Sequence, residues 1–178
     1  MTKNLQTRLT KEMIETYTAS GDWGSETIYD LLKKMSIECP DREAIVDARQ
    51  TVSYGELHNN ILRAASVFRQ NGIGKGDVVT IQLPNWIEFV YTFFSLELIG
   101  AIANKISPDF RSKEIEFILN FSESKAFVCP ASFKNFDYPR MALELKNKVP
   151  GLEKIFVVDA SSHLDLVDFN SELLTSSH

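Results

Sequence analysis

The chain has 178 residues, 44% of them hydrophobic and 24% charged, which is enough apolar material for one domain with a real core. A formal charge of −5, with no basic cluster, argues against a nucleic-acid surface. Cys39 and Cys129 fit no C-x-x-C spacing, so reduced thiols in a cytoplasmic setting are expected. The first fifteen residues lack the apolar segment of a signal peptide. The longest apolar run is interrupted by Glu88 and Glu97, which argues against a transmembrane segment.

Thr10 to Ser20 reads as a short helix, with Met13, Ile14 and Tyr17 on one side. Gly21 and Gly24 close it around Trp23, expected as an anchor between an N-terminal arm and the body. A second helix runs from Ser25 or Glu26 to Ile37, with Ile28, Leu31, Leu32 and Met35 on one face, and Cys39-Pro40-Asp41 breaks it. Ala44–Asp47 and Thr51–Tyr54 read as a hairpin with a polar turn from Asp47 to Gln50. Ser53-x-x-Glu56 is a capping box opening a third helix, whose apolar stripe is Leu57, Ile61, Ala64, Ala65 and Phe68. His58 beside that stripe has no ligand spacing and reads as structural. The glycines of Gly72-Ile-Gly-Lys-Gly76 close a helix and precede a strand. That is the reverse of a dinucleotide fingerprint, so they read as a turn.

Gly76 to Pro108 is expected to organise the fold. Val78 to Leu83 is a β-branched strand stopped at Pro84. Asn85, with Glu88 three residues on, is the expected cap of the next helix. In that helix Glu88, Thr92 and Ser95 make a narrow polar stripe. Trp86, Ile87, Phe89, Val90, Phe93, Phe94, Leu96 and Leu98 cover the rest, so burial on more than one side is expected. Gly100 ends it, and Ala101–Ile106 returns as a parallel strand. Glu97 falls in the apolar face, where it must reach solvent near the helix end or meet a basic partner. Arg111–Phe121 reads as an amphipathic helix through Ile115, Phe117, Ile118 and Phe121. Ala126–Cys129 is a strand stopped by Pro130, Pro139–Val149 a helix, and Lys154–Val158 a further core strand. Strand–helix alternation from Gly76 onward predicts an α/β fold with a mostly parallel sheet covered by helices. The expected organisation is an arm over 1–24, an α/β unit over 25–159, and a polar tail over 160–178 containing His163 and a short apolar segment from Leu164 to Leu174.

Several pieces in this order resemble the N-terminal part of acyl-CoA synthetases and related AMP-forming ligases, the adenylate-forming superfamily. They are Gly21-Asp-Trp-Gly24, Cys39-Pro-Asp-Arg42, Ala44-Ile-Val46, Thr51-Val-Ser-Tyr-Gly-Glu-Leu57 and Gly72-Ile-Gly-Lys-Gly-Asp-Val-Val79. They continue with Gln82-Leu-Pro-Asn85, Gly100-Ala-Ile-Ala-Asn104 and Ile118-Leu-Asn-Phe-Ser122. The look is that of bacterial fatty-acyl or aryl and alicyclic carboxylate–CoA ligases, which implies a place in fatty-acid or related acid metabolism. Lys105 departs from the resemblance, standing where a proline is usual. So does Glu97, standing where an apolar residue is usual.

The resemblance implies a two-step reaction using ATP, magnesium and CoA, through an acyl-adenylate to an acyl thioester. It also implies a Ser/Thr/Gly-rich phosphate loop and a catalytic lysine. Neither motif occurs in these 178 residues. No catalytic, cofactor-binding or metal-ligating residue is therefore assigned. Asp22, Asp41, Asp47 and Asp77 read as caps or solvated charges, and His163 as solvated. The expectation is an inactive N-terminal subdomain whose partners are the remainder of such an enzyme and its carboxylic acid substrate. Two alternatives stand beside it. One is a free-standing module binding a small ligand at the C-terminal ends of the strands, near Pro84-Asn85, Ile106-Ser107 and Pro130. The other is a structural partner acting through an exposed apolar surface.

Overall fold

The computed structural model describes residues 8–160 and 165–176. Its centre is a five-stranded parallel sheet in the order β4-β3-β5-β8-β9. The strands are β3 (Val78–Ile81), β4 (Ile102–Lys105), β5 (Ala126–Pro130), β8 (Lys154–Val158) and β9 (Val167–Asp168). The register between β5 and β8 is unbroken from Ala126↔Lys154 to Pro130↔Val158. Side chains alternate across this sheet and so feed two cores. Val79, Ile81, Ala126, Val128, Phe156 and Val158 face one core with α2 (Ile28–Glu38), α3 (Tyr54–Gln70), α4 (Ile87–Ile99) and α7 (Phe169–Thr175). Phe127, Cys129, Ile155 and Val157 face the other, with α5 (Ser112–Phe121) and α6 (Tyr138–Lys146). The expected α/β layering is therefore present.

The hairpin also forms as read, as β1 (Glu43–Val46) and β2 (Thr51–Ser53), antiparallel across the Asp47–Gln50 turn. Ser53 and Glu56 cap α3 reciprocally, and Leu57, Ile61, Ala64, Ala65 and Phe68 line its buried face. Gly76 and Gly100 hold φ near +83° and +74°, a region costly for side-chain-bearing residues. The second also leaves room for Lys75, whose Cγ would lie 3.2 Å from an added Cβ.

Four expectations are corrected. Asn85 does not cap α4: the helix starts at Ile87 behind Trp86, which makes no side-chain cap bond, and the capping carboxylate comes from Asp47 in the hairpin turn. The stripe Glu88, Thr92 and Ser95 is buried, whereas Phe89, Val90, Phe93, Phe94 and Leu98 are only half-buried. Glu88 tolerates burial because Arg49 meets it, which a helical wheel cannot show. On α2 the buried residues are Tyr29 and Leu32, while Ile28 and Leu31 are exposed. On α5 they are Ile115 and Leu119, and Phe117 and Phe121 stand 68% and 82% exposed, stacked on each other at 5.8 Å. Trp23 stays 37% exposed. It packs on Tyr17 at 4.9 Å within its own arm, and α1 (Lys11–Ala19) has no buried residue.

Glu97 is half-buried, and no cation pairs with it among the described residues. Lys105 lies over the ring of Phe93 at 4.9 Å, so the residue at the unusual position shields a half-open aromatic of α4.

Two features were not foreseen. Ser132–Phe133 (β6) and Phe136–Asp137 (β7) form a small hairpin whose turn residues, Lys134 and Asn135, both take positive φ. Beyond Asp159, in the stretch read as a polar tail, β9 adds to the sheet beside β8 and α7 buries Phe169 completely. His163 lies outside the described residues.

Candidate functional site

The strand order reverses between β4 and β5 around β3, and the crevice beyond the carboxyl ends of such strands is where open α/β sheets accept ligands. The segments arriving there are Gln82–Asn85 after β3, Ile106–Pro108 after β4, Pro130 at the end of β5 and Asp159 after β8. Chemistry at this edge is dominated by Arg49, delivered by the β1–β2 turn.

Arg49 meets three carboxylates. Nη1 donates to Asp159 at 3.1 Å, and Nη2 reaches both Glu88 and, at 3.5 Å, Asp47. The guanidinium also lies 4.8 Å from the ring centre of Trp86, which in turn meets Phe133 edge-on. Asp47 does three things at once. Its Oδ1 accepts from the N–H groups of Arg49 and Gln50 at 2.8 and 2.9 Å, and its Oδ2 accepts from Ile87 N–H at 3.3 Å. The backbone N–H of Arg49 is the largest influence holding the Asp47 carboxyl below its ordinary value; the N–H groups of Gln50 and Ile87 add to it. Burial opposes the Arg49 charge, but Glu88, Asp159 and Asp47 outweigh it and raise its pKa.

The centre of the crevice is closed by Gln82. Its Nε2 donates to the carbonyls of Ser107 and Phe110, both at 3.0 Å. The same loop is held by Tyr138, whose hydroxyl donates to Pro108 O at 2.8 Å, and by Arg111, which donates to Pro108 and Phe110 carbonyls. The Pro84, Ile106–Ser107 and Pro130 edge is thus brought together as expected, but it is knitted by the protein's own groups.

This arrangement can brace an edge; it does not fit a polyphosphate. One guanidinium is shared by three carboxylates, so the local field is net negative where a phosphate needs cations and free donors. The Gly72–Gly76 turn precedes β3 and lies at the opposite end of the strands. Among the described residues no group of three or more His, Cys, Asp or Glu is placed to hold a metal ion, and no helix is long and apolar enough to cross a membrane. His58 shares a 3.0 Å hydrogen bond with the Tyr29 hydroxyl between α3 and α2, which is a structural role. Asp77 accepts from Lys125 and from Gly74 N–H, so it too is a turn residue. The role of Arg49 was missed because its partners are 2, 39 and 110 residues away.

A fold of this kind, a parallel sheet with helices on both faces, is that of the N-terminal part of an adenylate-forming enzyme. Residues 34–176 match the family described as "AMP-binding enzyme", and the chain belongs to that family. It is 36% identical over 162 residues to the 2,3-dihydroxybenzoate-AMP ligase of Bacillus subtilis, covering 90% of this chain and 30% of that protein. It is 31% identical to the medium-chain fatty-acid–CoA ligase of Escherichia coli, covering 84% of this chain and 27% of the relative. The solved apo structure of MbtA from Mycobacterium smegmatis superposes with a TM-score of 0.85 at 26% identity, over 96% of this chain and 31% of that one. The chain thus spans about a third of the length of the relatives it matches.

Proposed function

We propose that this chain is the N-terminal scaffold subdomain of an ATP-dependent, AMP-forming carboxylic acid ligase. The observation that carries the reading is the family match over 34–176, supported by the superposition on MbtA. In that role the chain holds one wall of the fold, and Arg49 fixes the hairpin, α4 and the turn after β8 against one another. The groups that neutralise the phosphates and magnesium come from another part of the enzyme, because the edge described above is anionic.

An acyl-adenylate forms first, and CoA takes the acyl group as a thioester in a cytoplasmic reaction. Names among the relatives, 2,3-dihydroxybenzoate-AMP ligase and salicyl-AMP ligase, favour an aromatic acid over a fatty acid as substrate. The test is ATP–pyrophosphate exchange with 2,3-dihydroxybenzoate, salicylate and octanoate. The 178-residue chain is expected to give none, and a chain extended to the relatives' length is expected to exchange with an aromatic acid. Exchange by the 178 residues alone would overturn the scaffold reading. Exchange by the longer chain with octanoate only would overturn the substrate class.

A further inference from the structure

Among the described residues β4 is the last strand on its side of the sheet, beyond β3. The N–H groups of Ile102 and Ile106 donate to the carbonyls of Asp77 and Ile81, on the β3 side. Alternate residues of a strand point their main-chain groups the other way, so those of Ala103 and Lys105 face outward along an open edge. Lysine commonly guards such edges, but Lys105 turns its ammonium over the ring of Phe93 on α4. On the other face Ile102, Ala103 and Asn104 line a cleft of about 380 Å3 with Phe121 of α5, and Phe121 is half of the exposed Phe117–Phe121 stack. An open strand edge beside uncovered apolar surface is a template for a further strand. We infer that its occupant is a second copy of this chain, with β4 pairing antiparallel to β4 across a two-fold axis at Asn104. This inference does not rest on the ligase reading.

Three features select a second copy. The outward residues are Ala103 and Lys105, symmetric about Asn104, so two-fold pairing sets each Ala103 against Lys105 of the other copy, exchanging both N–H···O bonds. Asn104 then faces Asn104 at the closest Cα approach. Its Nδ2 donates to Thr80 Oγ1 at 3.0 Å, which leaves one N–H and the carbonyl Oδ1 for the amide opposite. The same axis brings α5 beside α5, stack toward stack. Phe110, Phe117 and Phe121, with the strand edge and the half-open Phe93, offer roughly 600–800 Å2 per copy, the lower part of the range for a specific interface.

The test is sedimentation equilibrium of the 178-residue chain over a wide concentration range, with amide hydrogen exchange on the same samples. A rise from one chain mass to two is expected, half complete near about 10 μM for an interface of this size. Protection of the Ala103 and Lys105 amides should rise with it, about tenfold or more when the dimer dominates. Phe121→Ser, and Asn104→Asp, which sets two carboxylates face to face, should each weaken the dimer at least about tenfold. Leu31→Ser, on the exposed face of α2, should leave it unchanged. A monomer at every concentration overturns the proposal. So does a dimer that Leu31→Ser abolishes and Phe121→Ser spares, or one in which Ala103 and Lys105 exchange as fast as in the monomer. A dimer lost when the chain is extended to its relatives' length would give the edge to the remainder of the enzyme and overturn it too. Phe121 is exposed, so its replacement spares the core, and the exchange readout needs no variant.

Discussion

Replacing Arg49 by methionine keeps the length of the side chain and removes its charge. Glu88, with its side chain 6% exposed, would then be left without a cation, while Asp159 and much of the Arg49 tip stay wet. Breaking a fully buried pair costs about 3–5 kcal/mol, and losing a hydrogen bond to a charged group about 1.5–3 kcal/mol. The Arg49 side chain is 38% exposed, so solvent screening takes the estimate to the lower range, about 2–3 kcal/mol. For a domain of this size that corresponds to a fall in Tm of roughly 5–10 °C. Glu88→Gln removes the stranded charge, so the double variant R49M/E88Q is expected to recover about half of the loss. Urea unfolding of wild type, both single variants and the double variant gives the coupling directly. Strictly additive losses, or an R49M loss under about 0.5 kcal/mol, would refute the idea that this cluster braces the edge.

Two further outcomes are expected. Asp47 has a depressed folded-state pKa, as do Asp30, Glu56, Asp109 and Glu114. Between the folded and unfolded values the unfolded chain binds more protons. The stabilisation is therefore complete above the unfolded carboxylate range, about pH 4–4.5, and is lost as pH falls through the folded values. Asp47→Asn should flatten part of that acid limb in denaturation curves measured from pH 6 to pH 2, and an unchanged limb would count against the capping role. Burial pushes the Cys129 thiol far above its ordinary pKa, whereas Cys39 is only half-buried. A thiol reagent at pH 8 should label Cys39 within minutes and Cys129 only on unfolding. Native labelling of Cys129 would mean that the core behind β5 opens.

What could be read from the chain alone was whatever local chemistry decides. Ser53 and Glu56 sit three apart and cap each other, Gly100 must turn left-handed, and β-branched runs at Val78 and Lys154 make buried parallel strands. The failures share one cause. Asn85 was chosen as the α4 cap for its spacing, but Asp47 arrives from a hairpin 40 residues away and supplies the acceptor instead. Glu88 looked like part of a polar stripe; a distant guanidinium makes that stripe the inner one. For α2 and α5, periodicity located the helix and misjudged which apolar residues are covered. The α5 stripe includes Phe117 and Phe121, which stack on each other yet stay 68% and 82% exposed. At the candidate edge the residue positions were legible, whereas the closure by Gln82 was not, because its acceptors are carbonyls of a loop 25 and 28 residues on.

The N-terminal arm sets its own thermodynamic terms. Nine helical residues are too few to persist in water on propensity alone, and although Tyr17 stacks on Trp23 at 4.9 Å, none of the helix's residues is buried. Heating should therefore unravel the arm gradually, ahead of the cooperative melting of the sheet and its helices. Circular dichroism would record this as a sloping baseline, and a calorimeter would scarcely register it.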